Sequence, residues 1–290
     1  MPATAALPDP RPCPACASTS TRWAFVVDGF PHVRCRDCES VFVSPLPSPG
    51  VIEGTYLDPR ELVDLSASEA RMRQEARARA RVLQDRGCRR VLEIGCGAGF
   101  FVEAVLELGI EIEAVDPGPQ AQRAAARGLP IPARWLEEHQ PTGPYDGIAM
   151  FELIEHLPRP LEALQQVYRW MRPGGTLALS TPNAGSLAGR LLGRRFPMLC
   201  PPHHLELFSR RGLDALLRRA GFQPWRWESF SNLDHATLQR SFQRFFLGGS
   251  SAAAGVAGSL AALARAPVRL VDRVGWGTSF EIYAEPVPGR

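Results

Sequence analysis

The segment RRVLEIGCGAGFFVEAVLELG, residues 89–109, decides the fold of this chain of 290 residues. A short apolar run, VLEI, leads into the turn GCGAG, and apolar residues at helical spacing follow from Phe100 onward. The glycines of the turn let backbone amides approach a ligand closely, and the start of the next helix offers unpaired N–H groups. The pattern predicts a strand, a ligand-binding turn and a helix.

The spacing of the glycines excludes one class of cofactor loop. A nicotinamide fingerprint has the pattern G-x-G-x-x-G, whereas the glycines here are Gly95, Gly97 and Gly99. Glu93 precedes the turn and suits a cationic, amine-bearing ligand. A second acid, Asp116, ends the next predicted strand, where a carboxylate can accept both hydroxyls of a ribose.

These residues resemble the first motifs of the class I S-adenosylmethionine-dependent methyltransferases, and the PGG at 173–175 is similar to the turn before their fifth strand. The resemblance covers roughly residues 88–228. It implies that Asp116 binds the ribose, that Gly95 and Gly97 line the methionine part, and that Trp135 and Leu136 lie near the adenine. The expected contacts of S-adenosyl-L-methionine are therefore Glu93, Gly95, Gly97, Gly99, Asp116, Trp135, Leu136 and Phe151.

The fold class expected is α/β, with a Rossmann-like methyltransferase sheet of seven strands, a small N-terminal zinc ribbon and a helical insertion near the C-terminus. Three regions follow: a ribbon at 1–50, a linker and helix at 51–87, and the methyltransferase domain at 88–290. The predicted strands are 91–94, 111–115, 131–134, 145–150, 175–180, 222–228 and 278–284, with the insertion at 231–277.

The zinc prediction rests on two C-x-x-C pairs, CPAC at 13–16 and CRDC at 35–38, which are separated by 18 residues. Each pair can place two thiolates on one tight turn, and two such turns complete a tetrahedral set with no position left for a substrate. Cys13, Cys16, Cys35 and Cys38 are therefore expected to hold a structural Zn²⁺, with a redox dithiol as the alternative.

FELIEHL, residues 151–157, emerges from the carboxyl end of the fourth predicted strand, where open α/β sheets bind their ligands. A second histidine pair lies downstream in PPHHLELFS, residues 201–209. Three roles are open. In the first role the polar residues hold the turn and have no part in the chemistry. In the second a histidine removes a proton from a substrate hydroxyl. In the third the acids and imidazoles bind Mg²⁺ or Mn²⁺.

ELIEH also resembles the E-x-x-E-H motif of ubiquinone-pathway O-methyltransferases and of small-RNA 2'-O-methyltransferases, in which both acids and the histidine hold a divalent ion. By this likeness the possible ligands are Glu152, Glu155, His156 and His204. The catalytic residues expected are His204, His156 and Glu152, with His204 as the base if no metal is used.

Composition names no macromolecular partner, because the formal net charge is only +3. RNA binding is disfavoured, since no basic stretch is interleaved with aromatic residues. The first residues lack the regions of a signal peptide, so the cytoplasm is the expected compartment. The insertion is expected to form amphipathic helices that pack on the protein or on a second subunit, or that touch a membrane surface through 246–275.

Three functions are open at this point. The first is methyl transfer to a hydroxyl of a small biosynthetic metabolite such as a sugar, polyketide or quinone precursor, with transfer to carbon less favoured. The second is 2'-O-methylation of an RNA 3' end. The third is a non-catalytic scaffold that binds S-adenosylmethionine and recruits a partner through the zinc ribbon.

Overall fold

The computed structural model describes residues 10–58, 65–231 and 265–289. The chain begins with an antiparallel sheet formed by β1 (Thr21–Val27), β2 (Phe30–Cys35) and β3 (Val41–Val43). The two C-x-x-C pairs flank the β1–β2 hairpin, and all three residues of β3 are buried. We call the segment from residue 10 to residue 43 the ribbon.

Two helices connect the ribbon to the large sheet. α1 (Pro49–Leu57) starts with a proline, which tolerates the first helical turn because its missing N–H would have no partner there. α2 (Glu69–Asp85) buries Ala76, Ala80 and Leu83, which recur every three or four residues and so share one face. That face packs in one apolar cluster with the helix that follows the glycine turn.

The described residues from 90 onward alternate strands with helices, as a parallel sheet requires. The elements in order are β4 (Arg90–Ile94), α3 (Phe100–Glu107), β5 (Glu111–Val115), α4 (Pro119–Ala126), β6 (Tyr145–Phe151), α5 (Pro160–Trp170), β7 (Met171–Pro182), α6 (Leu187–Leu192), β8 (Glu206–Leu207), α7 (Arg210–Arg219), β9 (Phe222–Phe230), α8 (Arg265–Arg273) and β10 (Ser279–Pro286).

Six of these strands form the large sheet, in the order β5-β4-β6-β7-β10-β9. β5, β4, β6 and β7 are parallel, and β10 runs antiparallel to both of its neighbours. The chain leaves β4 towards β5 on one side and later returns to β6 on the other side. Such a reversal opens a crevice at the carboxyl ends of the strands, and this crevice is the usual ligand site of an open α/β sheet.

The prediction of seven strands is wrong within the described residues, because 131–134 is not a strand. Only one isolated bridge, between Val115 and Ala133, forms there. The carbonyls of Pro130 and Ala133 accept bonds from the amides of Ala114 and Asp116. Pro130 and Pro132 have no N–H to donate in return, so a regular ladder cannot develop.

The ribbon and the large sheet are joined by β8. Val41 and Phe42 of β3 pair with Leu207 and Glu206 of β8, which makes a four-stranded sheet in the order β1-β2-β3-β8. One buried apolar cluster contains ribbon residues and core residues of the large sheet alike. The region predicted as a module at 1–50 therefore shares its sheet and its core with the methyltransferase region.

Most of the predicted insertion at 231–277 lies outside the described residues, which resume at α8. This includes the greater part of the 246–275 segment considered for membrane contact. Among the residues that the structure describes, no helix has the length and apolar character needed to cross a bilayer.

Candidate functional site

The glycine turn after β4 forms an open cradle. Gly95, Gly97 and Gly99 adopt φ angles of +82°, +48° and +80°, a backbone region that glycine enters without steric cost. A Cβ added to Gly97 would meet nothing within 4 Å, so a ligand can reach the backbone there. α3 begins at Phe100, directly beyond the turn, as the sequence pattern predicts.

Asp116 ties the glycine turn to the loop after β5. One carboxylate oxygen accepts a hydrogen bond from the Gly97 amide at 2.8 Å, and the other accepts from the Gly118 amide at 2.6 Å. Burial raises the pKa of Asp116, while these two amides oppose the rise. Each carboxylate oxygen has more than one acceptor site, so both can still receive a ribose hydroxyl.

Glu93 lies beneath the same turn and is 4% exposed. Its Oε2 atom is buried and has no hydrogen-bond partner. Burial, and secondarily the charge of Asp116, raises the pKa of Glu93 to about 8. A buried carboxyl with an unused oxygen is costly unless a ligand group completes it, and a ligand amine would do so. The residues of this pocket thus fit the amino-acid and ribose parts of S-adenosylmethionine.

For the remaining residues predicted to contact the cofactor, the structure shows the packing around each side chain. Trp135 is half-buried and makes an edge contact with the Tyr56 ring, with centroids 6.4 Å apart. Leu136 starts the short 3-10 turn Leu136–Glu138. The ring of Phe151 packs on Phe101, with the Arg79 guanidinium 4.1 Å from its centroid.

Tyr56, on α1, is a residue of the site that the sequence analysis missed. Its hydroxyl donates to the His156 carbonyl at 2.8 Å, and its ring lies 6.2 Å from the His156 ring. Its own carbonyl lies close to Gly118, beside Asp116. α1 therefore reaches the cofactor side and the histidine side of the site at once. A tyrosine near the end of a short helix has no spacing signal that separates it from a core aromatic.

A second cluster, formed by Glu155, His156 and His204, lies beyond the tip of β6. One ligand atom from each residue falls within 4.8 Å of the other two. Leu153, in the same turn, packs against the Gly95 position, so the cluster adjoins the cofactor cradle. We call Glu155, His156 and His204 the triad.

The hydrogen bonds of the triad leave atoms available for a ligand. Glu155 Oε2 accepts from the Thr181 hydroxyl at 2.9 Å, whereas Oε1 has no hydrogen-bond partner and lies 3.8 Å from His156 Nε2. His204 Nδ1 lies 2.7 Å from the Met198 carbonyl. A carbonyl can only accept, so His204 Nδ1 carries the proton and Nε2 keeps its lone pair.

The charge states of the triad follow from burial. Burial, and secondarily the nearby His204 and His203, lowers the pKa of His156 to about 3. Burial also lowers the pKa of His204, so both imidazoles are neutral at pH 7. For Glu155, burial and then the charge of Glu152 raise the pKa well above its ordinary value. A cation between these atoms would relieve that penalty, and neutral imidazoles are the form that binds metals.

Glu152 lies outside the triad, although the sequence placed it in the same ligand set. Its backbone adopts φ +49°, and its amide donates to the Ser180 carbonyl at 2.9 Å. Its carboxyl is buried, which raises its pKa, and the charges acting on it come from Arg79, Glu75 and Glu281. The carboxyl of Glu152 thus lies outside the triad, and its Oε1 atom is buried without a hydrogen-bond partner.

The four ribbon cysteines converge as the C-x-x-C spacing predicts. Their sulfur atoms all lie within 4.8 Å of one another, with Cys13 to Cys38 and Cys16 to Cys35 both at 3.6 Å. Four Zn–S bonds of about 2.3 Å in a tetrahedron place the sulfurs about 3.8 Å apart, so this geometry fits zinc. Three of the four side chains are buried, which suits a structural site.

The parallel sheet with its switch point, the glycine cradle and the acid at the end of the second strand define a class I S-adenosylmethionine-dependent methyltransferase. A sequence model of the family described as "Methyltransferase domain" matches residues 66–226. The chain belongs to this family.

Relatives and solved structures agree with that assignment. The ubiquinone biosynthesis O-methyltransferase of Xanthomonas campestris pv. campestris (strain B100) is 31% identical over 163 residues, covering 47% of this chain and 68% of the relative. The enzyme of the same name from Xanthomonas oryzae pv. oryzae (strain PXO99A) is 30% identical over 162 residues with the same coverage. A SAM-dependent methyltransferase from Archaeoglobus fulgidus superposes with a TM-score of 0.51 at 24% identity, covering 73% of this chain and 94% of that one, which supports the fold.

Proposed function

We propose that this methyltransferase transfers the methyl group to a hydroxyl of a small biosynthetic metabolite, and that the triad activates that hydroxyl. The observation that carries the proposal is the position of the triad. Two neutral imidazoles and a carboxyl with an unused oxygen adjoin the cofactor cradle at the carboxyl end of β6. The similarity to relatives named O-methyltransferases supports oxygen as the acceptor atom.

S-adenosylmethionine supplies a methyl group already activated on a sulfonium, so the protein needs only to align the reactants and remove a proton. Asp116 and the glycine cradle hold the donor, and Glu93 pairs with its amine. The acceptor hydroxyl lies against the triad, on the Leu153 side of the cradle. Closure by α1 and Tyr56 keeps water out of the space between donor and acceptor.

The triad would hold a divalent ion through Glu155 Oε1 and one nitrogen of each histidine. Such an ion supplies Lewis acidity that lowers the pKa of a bound hydroxyl. One carboxylate with two imidazoles suits Mn²⁺ or another transition ion better than Mg²⁺, which prefers oxygen ligands alone. Without an ion, the same geometry leaves His204 Nε2 as the proton acceptor.

The test is methyl transfer from labelled S-adenosylmethionine to a panel of phenols, sugars and other hydroxyl compounds, with RNA 3' ends as a separate arm. Each reaction is run after removal of metals by a chelator and after addition of Mn²⁺ or Mg²⁺. Transfer to RNA would refute the small-molecule proposal. Transfer that survives complete removal of metals would assign proton removal to His204 alone.

His203 provides a matched control for His204. The two residues are neighbours, yet His203 is outside the triad. We expect His204→Ala to lower the transfer rate by about 100-fold and to weaken Mn²⁺ binding, whereas His203→Ala changes either quantity by less than about fivefold. Equal losses in both variants would show that the triad has no special role.

A further inference from the structure

The ribbon brings the four cysteines together and also contacts the segment that carries His204. We infer that the zinc ribbon is a positioning element of the acceptor site, which holds residues 203–209 in place through backbone pairing with β8. The importance of this for catalysis rests on the proposed role of the triad. The mechanical coupling itself can be tested without any acceptor.

The first link is a chain of hydrogen bonds through Leu205, which follows His204 directly. The Val43 amide of the ribbon donates to the Leu205 carbonyl at 2.8 Å. The Leu205 amide in turn donates to the Glu155 carbonyl at 2.9 Å. Leu205 is fully buried and joins the ribbon to two members of the triad. It bonds directly to Glu155 and is the next residue in the chain after His204.

The second link is a side-chain contact between the segment before β1 and β8. Arg11 donates to Glu206 at 3.1 Å, and its Nε donates to the Val43 carbonyl at 3.0 Å. Glu206 is 1% exposed, and burial raises its pKa to about 8 although Arg11 lowers it. Separating the ribbon from β8 would break both of these Arg11 hydrogen bonds, so the contact favours the joined arrangement.

The third link lies beside the cysteine sulfurs. Cys38 Sγ lies 3.4 Å from the Ser40 hydroxyl, which accepts from the Ser209 amide at 3.1 Å. The Ser209 hydroxyl donates to the Cys38 carbonyl and also accepts from Gly212 N, so it caps α7. A Cβ at Gly212 would collide with Ser40 and contact Cys38. α7 therefore packs closely on the turn at 35–38, which we call the Cys38 knuckle.

α7 also contacts the turn between the first two cysteines, through a residue further along the helix. Arg219 donates to the carbonyl of Ala15 at 2.7 Å, between the first two cysteines. The segment 203–209 is therefore held at both ends, at Leu205 by β3 and at Ser209 by the Cys38 knuckle. Since a small zinc module depends on its metal for its fold, loss of zinc would release both ends.

The experiment compares hydrogen exchange along the full-length chain with and without zinc, together with calorimetric binding of S-adenosylhomocysteine. Cys16→Ser, which removes a half-exposed ligand, provides the zinc-free protein. We expect amides of 203–209 and of 154–156 to exchange at least about tenfold faster, while peptides of β4 and β5 and the affinity for S-adenosylhomocysteine stay within about twofold. Adding zinc back to chelator-stripped wild type should restore slow exchange.

Ser40→Ala keeps all four zinc ligands and removes the hydroxyl that accepts from the Ser209 amide and contacts Cys38 Sγ. We expect it to retain zinc and to speed exchange at 203–209 by about tenfold. Ser18→Ala, in the same ribbon, is the matched control, because its hydroxyl bonds to Asp37 on the exposed side. It should leave exchange at 203–209 unchanged.

The outcomes separate the inference from the proposed function. If 203–209 stays protected without zinc, the ribbon is an independent module and the inference fails. If Cys16→Ser loses binding of S-adenosylhomocysteine as well, Ser40→Ala decides: faster exchange there supports the inference, and unchanged exchange overturns it. None of these readings needs methyl transfer, so an error about the acceptor chemistry would be seen only in the transfer assay.

Discussion

Binding of S-adenosylhomocysteine, the product formed from the cofactor, should release a proton from Glu93. The raised pKa of Glu93 sets the number of protons released. The pKa of Glu93 is raised to about 8 by burial, so at pH 7 about 90% of the free protein carries a protonated carboxyl. A cationic amine favours the ionised form. Binding of S-adenosylhomocysteine should therefore release about 0.9 proton at pH 7 and about 0.5 proton at pH 8, where half of the free carboxyls are already ionised.

The same linkage fixes the direction of the pH dependence. Below pH 8 each unit of falling pH adds about 1.4 kcal/mol to the cost of ionising Glu93, so the affinity should rise about tenfold between pH 6 and pH 7. Calorimetric titration in buffers of different ionisation enthalpy measures the protons released. Glu93→Gln should abolish the release and flatten the profile.

Glu206 offers a matched control, because it is also a buried carboxyl whose pKa is raised to about 8, yet it lies at the ribbon and outside the cofactor pocket. Glu206→Gln should leave the proton release intact. Wild-type release below about 0.3 proton at pH 7, or release that persists in Glu93→Gln, would refute the assignment of Glu93 to the ligand amine.

Three further outcomes are expected. Asp116→Ala should weaken binding of S-adenosylhomocysteine by roughly 10- to 100-fold in a calorimetric titration, because charge-assisted hydrogen bonds to the ribose contribute about 1.5–3 kcal/mol; Glu113→Ala, on the same strand, should leave binding unchanged. Tyr56→Phe removes the hydroxyl that donates to the His156 carbonyl. The melting temperature should fall by about 2–4 °C for each kcal/mol of unfolding free energy lost. An unchanged melting temperature would show that this hydrogen bond does not stabilise the fold. Elemental analysis should find about one zinc per ribbon, lost in Cys35→Ser and kept in Cys88→Ser; zinc retained by both variants would contradict the four-cysteine site.

The features that sequence predicted are those encoded locally. The strand, turn and helix of 89–109 lie within one segment, and the glycines of the turn indicate a backbone with positive φ angles. The class of the fold and the methyltransferase assignment followed from that segment together with Asp116. The C-x-x-C pairs likewise predicted a four-thiol cluster, because each pair places two sulfurs on one tight turn.

The features that sequence missed depend on pairing between distant segments or on missing donors. β8 has two residues and joins a strand more than 160 positions earlier, which no periodicity can indicate. The strand predicted at 131–134 does not form, because Pro130 and Pro132 lack the N–H donors that a ladder needs. Tyr56 acts in the site only because α1 folds back over the loop after β5.

This division between local and distant features also separates the two halves of the site. The donor half is built mainly from a continuous stretch, β4 to α4, and the two hydrogen bonds that fix Asp116 come from amides of that stretch. The acceptor half is assembled from Glu155 and His156 after β6, from His204 before β8, and from the ribbon strand that pairs with β8. A change in the ribbon should therefore alter methyl transfer while donor binding persists. We therefore expect a change at the cysteine cluster to lower the rate of methyl transfer before it weakens binding of S-adenosylmethionine.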